Sequence, residues 1–206
     1  MIQDPRTKNT LFKANNAVEF LQSYNEQLNK CVASIDPALF EAAFELFRNA
    51  SVEGKNIFLA GNGGSSSIAE HWVCDWVKGT ASAGHRPVRA YCLSSNTALG
   101  SAISNDFGYD ELFSKQLSIF ASPGDLVVFI SSSGNSPNIL KAAKTARELK
   151  LKTLGLTGFS GGELVRLVDV PIHISFSNYG IVEDSHQIIM HSFGQYLAYL
   201  RDNQKV

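Results

Sequence analysis

The sequence has no long apolar run, no excess of charge of either sign and little cysteine. Its 18 basic and 19 acidic residues give a formal net charge of −1, which leaves no positive field to hold a nucleic acid. No apolar stretch approaches the ~20 residues that cross a membrane, and the amphipathic, acid-containing first residues do not resemble a secretory signal. These patterns argue against nucleic-acid and membrane partners.

The three cysteines, Cys31, Cys74 and Cys92, are odd in number, far apart and set in apolar runs. A disulfide framework needs paired cysteines in an oxidising compartment, so this usage predicts buried, structural thiols in a reducing one. Together with the missing membrane and secretory patterns, it predicts a cytoplasmic protein.

A length of 206 residues suits one compact domain. Over residues 1–50, apolar side chains recur at helical spacing from about Leu11, and Asp36 precedes Pro37 as an N-cap before a first-turn proline. We therefore expect an N-terminal helical hairpin. Residues 55–206 contain no low-complexity segment or linker and are expected to form the α/β core of the same domain.

Short apolar runs alternate with helical patterns through that core. Strands are predicted at 56–60, 88–93, 125–130, 152–156 and 170–175, and helices from residue 65, over 138–149 and over 182–201. Continuous apolar strands that alternate with helices indicate a parallel sheet covered on both faces. The predicted fold class is therefore α/β with a doubly wound parallel sheet.

Two of the predicted strands run into polar, glycine-containing turns, at residues 61–64 (Gly-Asn-Gly-Gly) and 131–136 (Ser-Ser-Ser-Gly-Asn-Ser). In a parallel sheet, ligands bind beyond the carboxyl ends of the strands, where glycine lets the backbone approach and helix N-termini present unpaired N–H groups. Serine hydroxyls in a turn without a cation suit a phosphate monoester held by neutral hydrogen bonds.

The structural alternative is that Gly63, Gly64 and Gly134 only permit tight turns and that the serines cap helices. Two such turns after strands of one sheet favour ligand binding over that alternative. The chain lacks the lysine-containing phosphate loop of nucleotide hydrolases and the spaced glycines of a dinucleotide fingerprint. A nucleotide is therefore not the expected ligand.

Four segments resemble the phosphoheptose isomerase branch of the SIS-domain family. They are residues 61–65 (Gly-Asn-Gly-Gly-Ser), 104–108 (Ser-Asn-Asp-Phe-Gly), 130–136 (Ile-Ser-Ser-Ser-Gly-Asn-Ser) and 156–158 (Leu-Thr-Gly). The resemblance implies a five-stranded flavodoxin-like sheet and a homotetramer with active sites at subunit boundaries. It also implies conversion of sedoheptulose 7-phosphate to an aldoheptose phosphate.

The same resemblance implies which residues contact the substrate. The sugar contacts are Asn62, Gly63, Gly64 and Ser65, with Asn105 and Asp106 at its hydroxyls, and the phosphate contacts are Ser131, Ser132, Ser133 and Ser136. From the residues alone, a turn ahead of Phe107 and Gly108 is the better interpretation of Asn105 and Asp106.

Interconversion of an aldose and a ketose needs a base at carbon and an acid or cation at the carbonyl oxygen. His71 and Asp75 are four residues apart and would share a face of the helix after the first turn. Glu183, Gln187 and His191 recur at the same spacing on the last helix. If these two helix faces meet, they bring together two imidazoles and two carboxylates.

In bacterial phosphoheptose isomerases the matching positions hold histidine, glutamate, glutamine and histidine, which bind zinc and supply the acid and the base. His71 and His191 match, whereas Asp75 replaces the glutamate and Glu183 replaces the glutamine. The resemblance implies a divalent-metal site, expected to hold zinc, at His71, Asp75, Glu183 and His191, and catalytic roles for Asp75, Glu183 and His191. Whether Asp75 or Glu183 is the base stays open. His186 is a candidate partner of Glu183 at i+3.

The leading function is an aldose–ketose isomerase that acts on sedoheptulose 7-phosphate or a close analogue and supplies heptose for a surface polysaccharide. The alternative is a non-catalytic sugar-phosphate-binding scaffold, similar to the SIS protein that binds the bacterial replication initiator. That relative has replaced the last-helix histidine, so His191 favours catalysis, while Asp75 keeps the scaffold alternative open. A regulatory SIS domain fused to a DNA-binding module is a third alternative, for which this chain has no room.

Overall fold

The computed structural model describes residues 12–81 and 84–205. Within them the chain forms a five-stranded sheet in the order β2-β1-β3-β4-β5, and every strand pair is parallel. The strands are β1 (Asn56–Gly61), β2 (Arg89–Cys92), β3 (Leu126–Ser131), β4 (Lys152–Thr157) and β5 (Val170–His173). The predicted parallel α/β fold is confirmed.

Helices connect the strands and cover both faces of the sheet. They are α1 (Ala17–Ala33), α2 (Pro37–Glu53), α3 (Gly64–Cys74), α4 (Thr97–Phe107), α5 (Leu112–Phe120), α6 (Pro137–Glu148) and α7 (Tyr179–Asp202). A π-helical turn (Asp75–Gly79) follows α3, and short 3₁₀ turns occupy Tyr109–Glu111 and Leu164–Arg166. In the described ranges, no helix is both long and apolar enough to span a membrane.

Successive residues of the central strands point into two different cores. Ile57 and Leu59 of β1 pack in a core that includes side chains of α2, α3 and α7, whereas Phe58 and Ala60 pack in a core that includes side chains of α5 and α6. Burial on both faces explains why these strands are continuous apolar runs in the sequence. The polar turns lie at the carboxyl edge of the sheet, where β1 and β3 end.

Side-chain caps set several helix boundaries. Asn16 caps α1, which therefore begins one residue later and not near Leu11, a residue outside the described ranges. Phe12 precedes the helix and is buried. Asp36 caps α2 as predicted, and Asn178 caps α7, which therefore begins before the predicted residue 182.

The thiols are not all buried. Cys31 is buried, but Cys74 is exposed and Cys92 is partly exposed. The prediction of a buried thiol is wrong for Cys74 because the core-facing position at the end of α3 is taken by Trp72, which has no exposed surface.

Candidate active site

The turns after β1 and β3 meet at the carboxyl edge of the sheet because these strands are parallel neighbours. The chain order reverses at this point, since β1 has β2 on one side and β3 on the other. Open α/β sheets bind ligands in the crevice at such a switch point. Residues 61–64 and 131–136 therefore stand where a ligand is expected.

A cavity of about 250 Å³, which we call the serine cavity, lies between the two turns. It is lined by Asn62, Gly64, Ser65, Ile130, Ser131, Ser132, Ser133, Ser136, Tyr179 and Glu183. Apart from Ile130 and Tyr179, each of these is a residue that the sequence analysis selected. The described lining contains no lysine or arginine.

The serine hydroxyls have few partners within the protein. Ser131 Oγ and Ser136 Oγ lie 3.4 Å apart, and Ser133 Oγ accepts a hydrogen bond from the Asn135 N–H over 3.2 Å. Ser132 Oγ is buried and has no hydrogen-bond partner among the described residues. Because a buried hydroxyl without a partner is destabilising, a ligand oxygen in the serine cavity would relieve that cost.

Ser136 immediately precedes α6 but does not cap it with its side chain. The residue before α3 is Gly63, which has no side chain with which to cap that helix. The structural alternative in which Ser136 serves as a helix cap is therefore not met. In the first turn of α6, Pro137 has no N–H and the Ile139 N–H donates to Asn138 Oδ1 over 2.9 Å.

The loop after β4 anchors the serine turn. Gly134 has φ 63°, and a Cβ added there would lie 2.0 Å from the carbonyl oxygen of Gly161. The Leu164 N–H donates to the Gly134 carbonyl over 3.0 Å, and the Glu163 N–H donates to Asn135 Oδ1 over 2.9 Å. Position 134 therefore requires glycine, and the turn is held in one conformation.

A pair of amides joins the two turns. Asn62 Nδ2 donates to Asn138 Oδ1, and Asn138 Nδ2 donates to Asn62 Oδ1, each over 2.9 Å. The Tyr109 hydroxyl also donates to Asn62 Oδ1, over 2.8 Å. On its other side Asn62 lines a second cavity of about 460 Å³ beside α4, together with Gly63 and Tyr109. Asn62 thus stands between the serine cavity and this α4 cavity.

Asn105 and Asp106 lie on the exposed last turn of α4. Asn105 Nδ2 donates to Asp106 Oδ1 over 2.9 Å, and neither residue lines the serine cavity or the α4 cavity. The alternative of a simple turn at these positions is wrong, because α4 continues through both of them.

His71, Asp75 and His191 come together where α3 and its π-helical extension meet α7. Asp75 Oδ2 lies 3.4 Å from His71 Nε2 and 3.3 Å from His191 Nε2, and the two imidazole centroids are 5.2 Å apart. One ligand atom from each residue lies within 4.8 Å of the other two, a grouping that can hold a metal ion. Gln187 Nε2 is 2.7 Å from His71 Nδ1.

Asp75 is the first residue of the π-helical turn, so it does not continue a regular α3 as the spacing predicts. Such turns are rare and often occur at functional sites. The end of the turn is held by the buried Arg201 of α7, which donates to the Thr80 carbonyl and, over 2.8 Å, to Ser51 Oγ. Helix α7 therefore supplies His191 and also supports the segment that carries Asp75.

Glu183 lies apart from the metal-capable group found in the described residues, although it is on the same helix as His191. Its carboxylate lines the serine cavity so closely that a Cβ on Gly64 would lie 2.6 Å from Glu183 Oε2. Burial and, secondarily, the negative charge of Asp184 raise the pKa of Glu183. The Tyr24 hydroxyl donates to Asp184 Oδ2 over 2.6 Å.

His186 has a structural environment. It is fully buried, and its Nε2 lies 3.3 Å from the Thr157 carbonyl oxygen. Its hydrogen-bond contact is therefore with β4 and not with Glu183. Burial lowers the pKa of His186 to about 4, so its imidazole is neutral at pH 7. The expectation that it partners Glu183 is not met, because α7 directs His186 toward β4.

The sequence analysis did not select Asn138 or Tyr109, and it did not foresee that Gln187 would contact His71. A signal for Asn138 was present. Asparagine is a weak helix former, and here it stands in the first turn of a helix directly after the serine turn. No local pattern shows that its partner is Asn62, because that contact depends on the pairing of β1 with β3.

Comparisons with known proteins find one family along most of the chain. The family model of the SIS domain matches residues 19–158. The probable phosphoheptose isomerase of Thermoplasma volcanium is 39% identical over 171 residues, which cover 83% of this chain and 87% of that protein. The phosphoheptose isomerase of Geotalea daltonii is 37% identical over 177 residues, which cover 84% of this chain and 92% of that protein.

Solved structures give the same result. A phosphoheptose isomerase from Francisella tularensis matches with a TM-score of 0.81 and 25% identity over 89% of this chain and 99% of that one. The phosphoheptose isomerase of Neisseria gonorrhoeae matches with a TM-score of 0.81 and 26% identity over 89% of this chain and 100% of that one. The chain therefore belongs to the SIS-domain family and, within it, to the phosphoheptose isomerase branch.

Proposed function

We propose that this chain is an aldose–ketose isomerase that converts sedoheptulose 7-phosphate to an aldoheptose 7-phosphate through an enediol. The observation that carries the proposal is the serine cavity, which places five serine side chains and the carboxyl group of Glu183 around one space. The relatives that share most of the chain's length are named phosphoheptose isomerases. The product would supply heptose for a surface polysaccharide.

The phosphoryl group binds to Ser131, Ser132, Ser133 and Ser136 in this proposal. The partnerless hydroxyl of Ser132 supports it, as does Ser136, whose hydroxyl makes no capping bond to α6. Asn62, Gly63, Gly64 and Ser65 then face the sugar. Asn105 and Asp106 reach neither cavity of their own chain, so their role in binding sugar hydroxyls requires a site shared with a neighbouring subunit.

His71, Asp75 and His191 would hold a divalent metal ion, which we take to be zinc. Two imidazole nitrogens and one carboxylate oxygen form a three-ligand set that leaves a position open, as in catalytic zinc sites, and their spacing fits. When bound, the ion supplies a Lewis acid for the carbonyl oxygen of the substrate. His191 and its two neighbours therefore serve the oxygen end of the reaction.

Glu183 is the base that moves the proton between the two carbons, and Asp75 is a metal ligand. The positions of the two carboxylates support this assignment, because Asp75 Oδ2 faces both imidazoles whereas Glu183 lines the serine cavity. The raised pKa of Glu183 brings it closer to neutral pH, where a general base is most effective. Glu183 is thus not needed as a fourth metal ligand.

The whole chain, residues 1–206, is in this proposal one SIS domain of a cytoplasmic homotetramer. Exposed apolar side chains on α1 and α7 support the assembly: Val18 is 64% exposed, Leu21 59% and Ile188 37%. Ile188 stands three residues before His191 on α7, so this exposed side chain lies beside the histidine group. Light scattering should give a mass near four times 22.4 kDa.

The function is tested by incubating the purified protein with sedoheptulose 7-phosphate, with and without a chelator, and separating ketose from aldose. An isomerase forms the aldose, and the chelator stops it. The scaffold alternative predicts that the sugar phosphate binds but that no aldose forms in either sample.

A further inference from the structure

The oxygen of the Asn62 amide is fully used inside the protein. Asn62 Oδ1 accepts from Asn138 Nδ2 over 2.9 Å and from the Tyr109 hydroxyl over 2.8 Å, which occupies both of its lone pairs. Asn62 Nδ2 gives one N–H to Asn138 Oδ1 and keeps a second. A ligand at the Asn62 side chain therefore meets a hydrogen-bond donor, because the amide oxygen is already occupied.

Asn138 cannot reverse this polarity by rotating its own amide. The backbone N–H of Ile139 donates to Asn138 Oδ1 over 2.9 Å, and this group can only donate. Exchange of the oxygen and nitrogen of Asn138 would lose that bond. Asn138 is only 1% exposed, so water does not offer a replacement partner. The orientation of Asn138 is therefore fixed, and it fixes the orientation of Asn62.

The amide pair also ties together the two turns that form the site. Asn62 belongs to the turn after β1, and Asn138 follows the serine turn after β3. Asn62 lines both the serine cavity and the α4 cavity, whereas Asn138 lines neither. Any effect of Asn138 on a bound sugar phosphate must pass through Asn62 or through the spacing of the two turns.

We propose that Asn138 is a positioning residue for the isomerisation, because it holds the Asn62 amide with one N–H directed at an acceptor oxygen of the sugar phosphate. This inference rests on the proposed function. Tyr109 assists from the opposite, exposed side by donating to the same oxygen of Asn62. The N–H so presented suits the carbonyl oxygen of the sugar, on which negative charge develops as the enediol forms.

A double-mutant cycle tests the proposal. Asn62→Ala, Asn138→Ala and the double variant are compared with the wild-type enzyme in kcat and KM for sedoheptulose 7-phosphate. Asn138→Ala should lower kcat/KM by about 10- to 100-fold, as small misplacements of substrate-orienting groups do. Because Asn138 acts through Asn62, the double variant should be no worse than Asn62→Ala alone.

A matched control separates positioning from stability. Asn56 lies at the other end of β1, where its Nδ2 donates to Asp125 Oδ2 over 3.2 Å. Asn56→Ala should lower the melting temperature but leave kcat/KM within about twofold of wild type, as expected for a site remote from the chemistry. The Tyr109→Phe variant removes one donor to Asn62 at an exposed position, so it serves if Asn138→Ala does not fold. It should lower kcat/KM by a factor of about 2–10, and only while Asn62 is present.

The inference is wrong if Asn138→Ala keeps wild-type kcat/KM, or if the losses in the double variant multiply. The inference is also wrong if Tyr109→Phe lowers kcat/KM equally in the wild-type and the Asn62→Ala backgrounds. If the wild-type protein forms no aldose, the proposed function fails instead, and the cycle is then measured on the Kd for sedoheptulose 7-phosphate. Loss of affinity in Asn138→Ala that vanishes in the Asn62→Ala background would support the positioning role, and unchanged affinity would overturn it.

Discussion

The carboxylate oxygen Oδ2 of Asp75 lies 3.3 Å from Nε2 of His191, across the contact between the π-helical turn and α7. His71 Nε2 approaches the same oxygen to 3.4 Å. The Asp75 carboxylate thus contacts two imidazoles, whereas the Glu183 carboxylate lines the serine cavity. The two acidic residues that depart from the pattern of bacterial phosphoheptose isomerases therefore stand in different environments and should behave differently when changed.

Glu183→Gln should lower kcat by a factor of about 10²–10⁴ and leave metal stoichiometry unchanged, because the proposed function makes Glu183 the base and not a metal ligand. Asp75→Asn should lower metal stoichiometry and turnover together. Both variants are measured by elemental analysis after dialysis against zinc and by initial rates. If Glu183→Gln loses the metal while Asp75→Asn keeps it, the two assignments must be exchanged.

Ser133→Ala and Ser136→Ala should each weaken binding of sedoheptulose 7-phosphate by roughly 10- to 100-fold, since a hydrogen bond to a charged group contributes about 1.5–3 kcal/mol. Titration calorimetry measures the Kd. The control is Ser118→Ala, because the Ser118 hydroxyl bonds to the carbonyl of Ser114 within α5 and lines neither the serine cavity nor the α4 cavity. Equal affinity in the cavity variants and the control would remove the phosphate site from the serine turn.

The acid limb of the kcat/KM profile should report the pKa of Glu183, raised by burial and by Asp184. Asp184→Asn removes the negative charge, so the limb should move to lower pH, whereas Tyr24→Phe keeps the charge and should not move it down. The folded state binds the Glu183 proton more tightly than the unfolded state does. Protonated Glu183 therefore adds to the free energy of unfolding at low pH, and this contribution is lost as pH rises through the folded-state pKa. An unmoved limb in Asp184→Asn would show that another group controls it.

Gly134→Ala should destabilise the fold by about 2–4 kcal/mol, because the new Cβ combines a left-handed φ with a clash against the Gly161 carbonyl. Gly84→Ala is the matched control, since its φ is 83° but a Cβ there meets no atom of the described residues within 4 Å. The control should cost only about 1 kcal/mol. Urea denaturation gives both values, and equal costs would mean that the serine turn can shift away from the loop after β4.

The strands and the serine turn were predictable because their causes are local. Every residue of β3 is buried, so the strand appears as a continuous apolar run, and the glycine and serines after it mark a polar turn at its carboxyl end. The order of the elements, combined with the rule that ligands bind at the carboxyl edge, then brings residues 61–64 and 131–136 together. Helix boundaries were less accurate where a single side chain, such as Asn16, sets them.

The finer arrangement of the site depends on contacts between distant residues. A spacing of four predicts that His71 and Asp75 share a regular helix, and it cannot show the π-helical turn that the buried Arg201 supports from α7. Periodicity places Glu183 and His191 on one ridge but does not determine that one side chain enters the serine cavity while the other joins the histidine group. Rotamers and tertiary packing make that division.

The most direct test of the account is the turnover of sedoheptulose 7-phosphate by His191→Ala, measured beside its Kd for the same compound. The proposed function assigns His191 to the carbonyl oxygen and the phosphoryl group to the serine cavity, so turnover should fall to background while affinity changes little. Wild-type turnover in this variant would contradict the proposed chemistry.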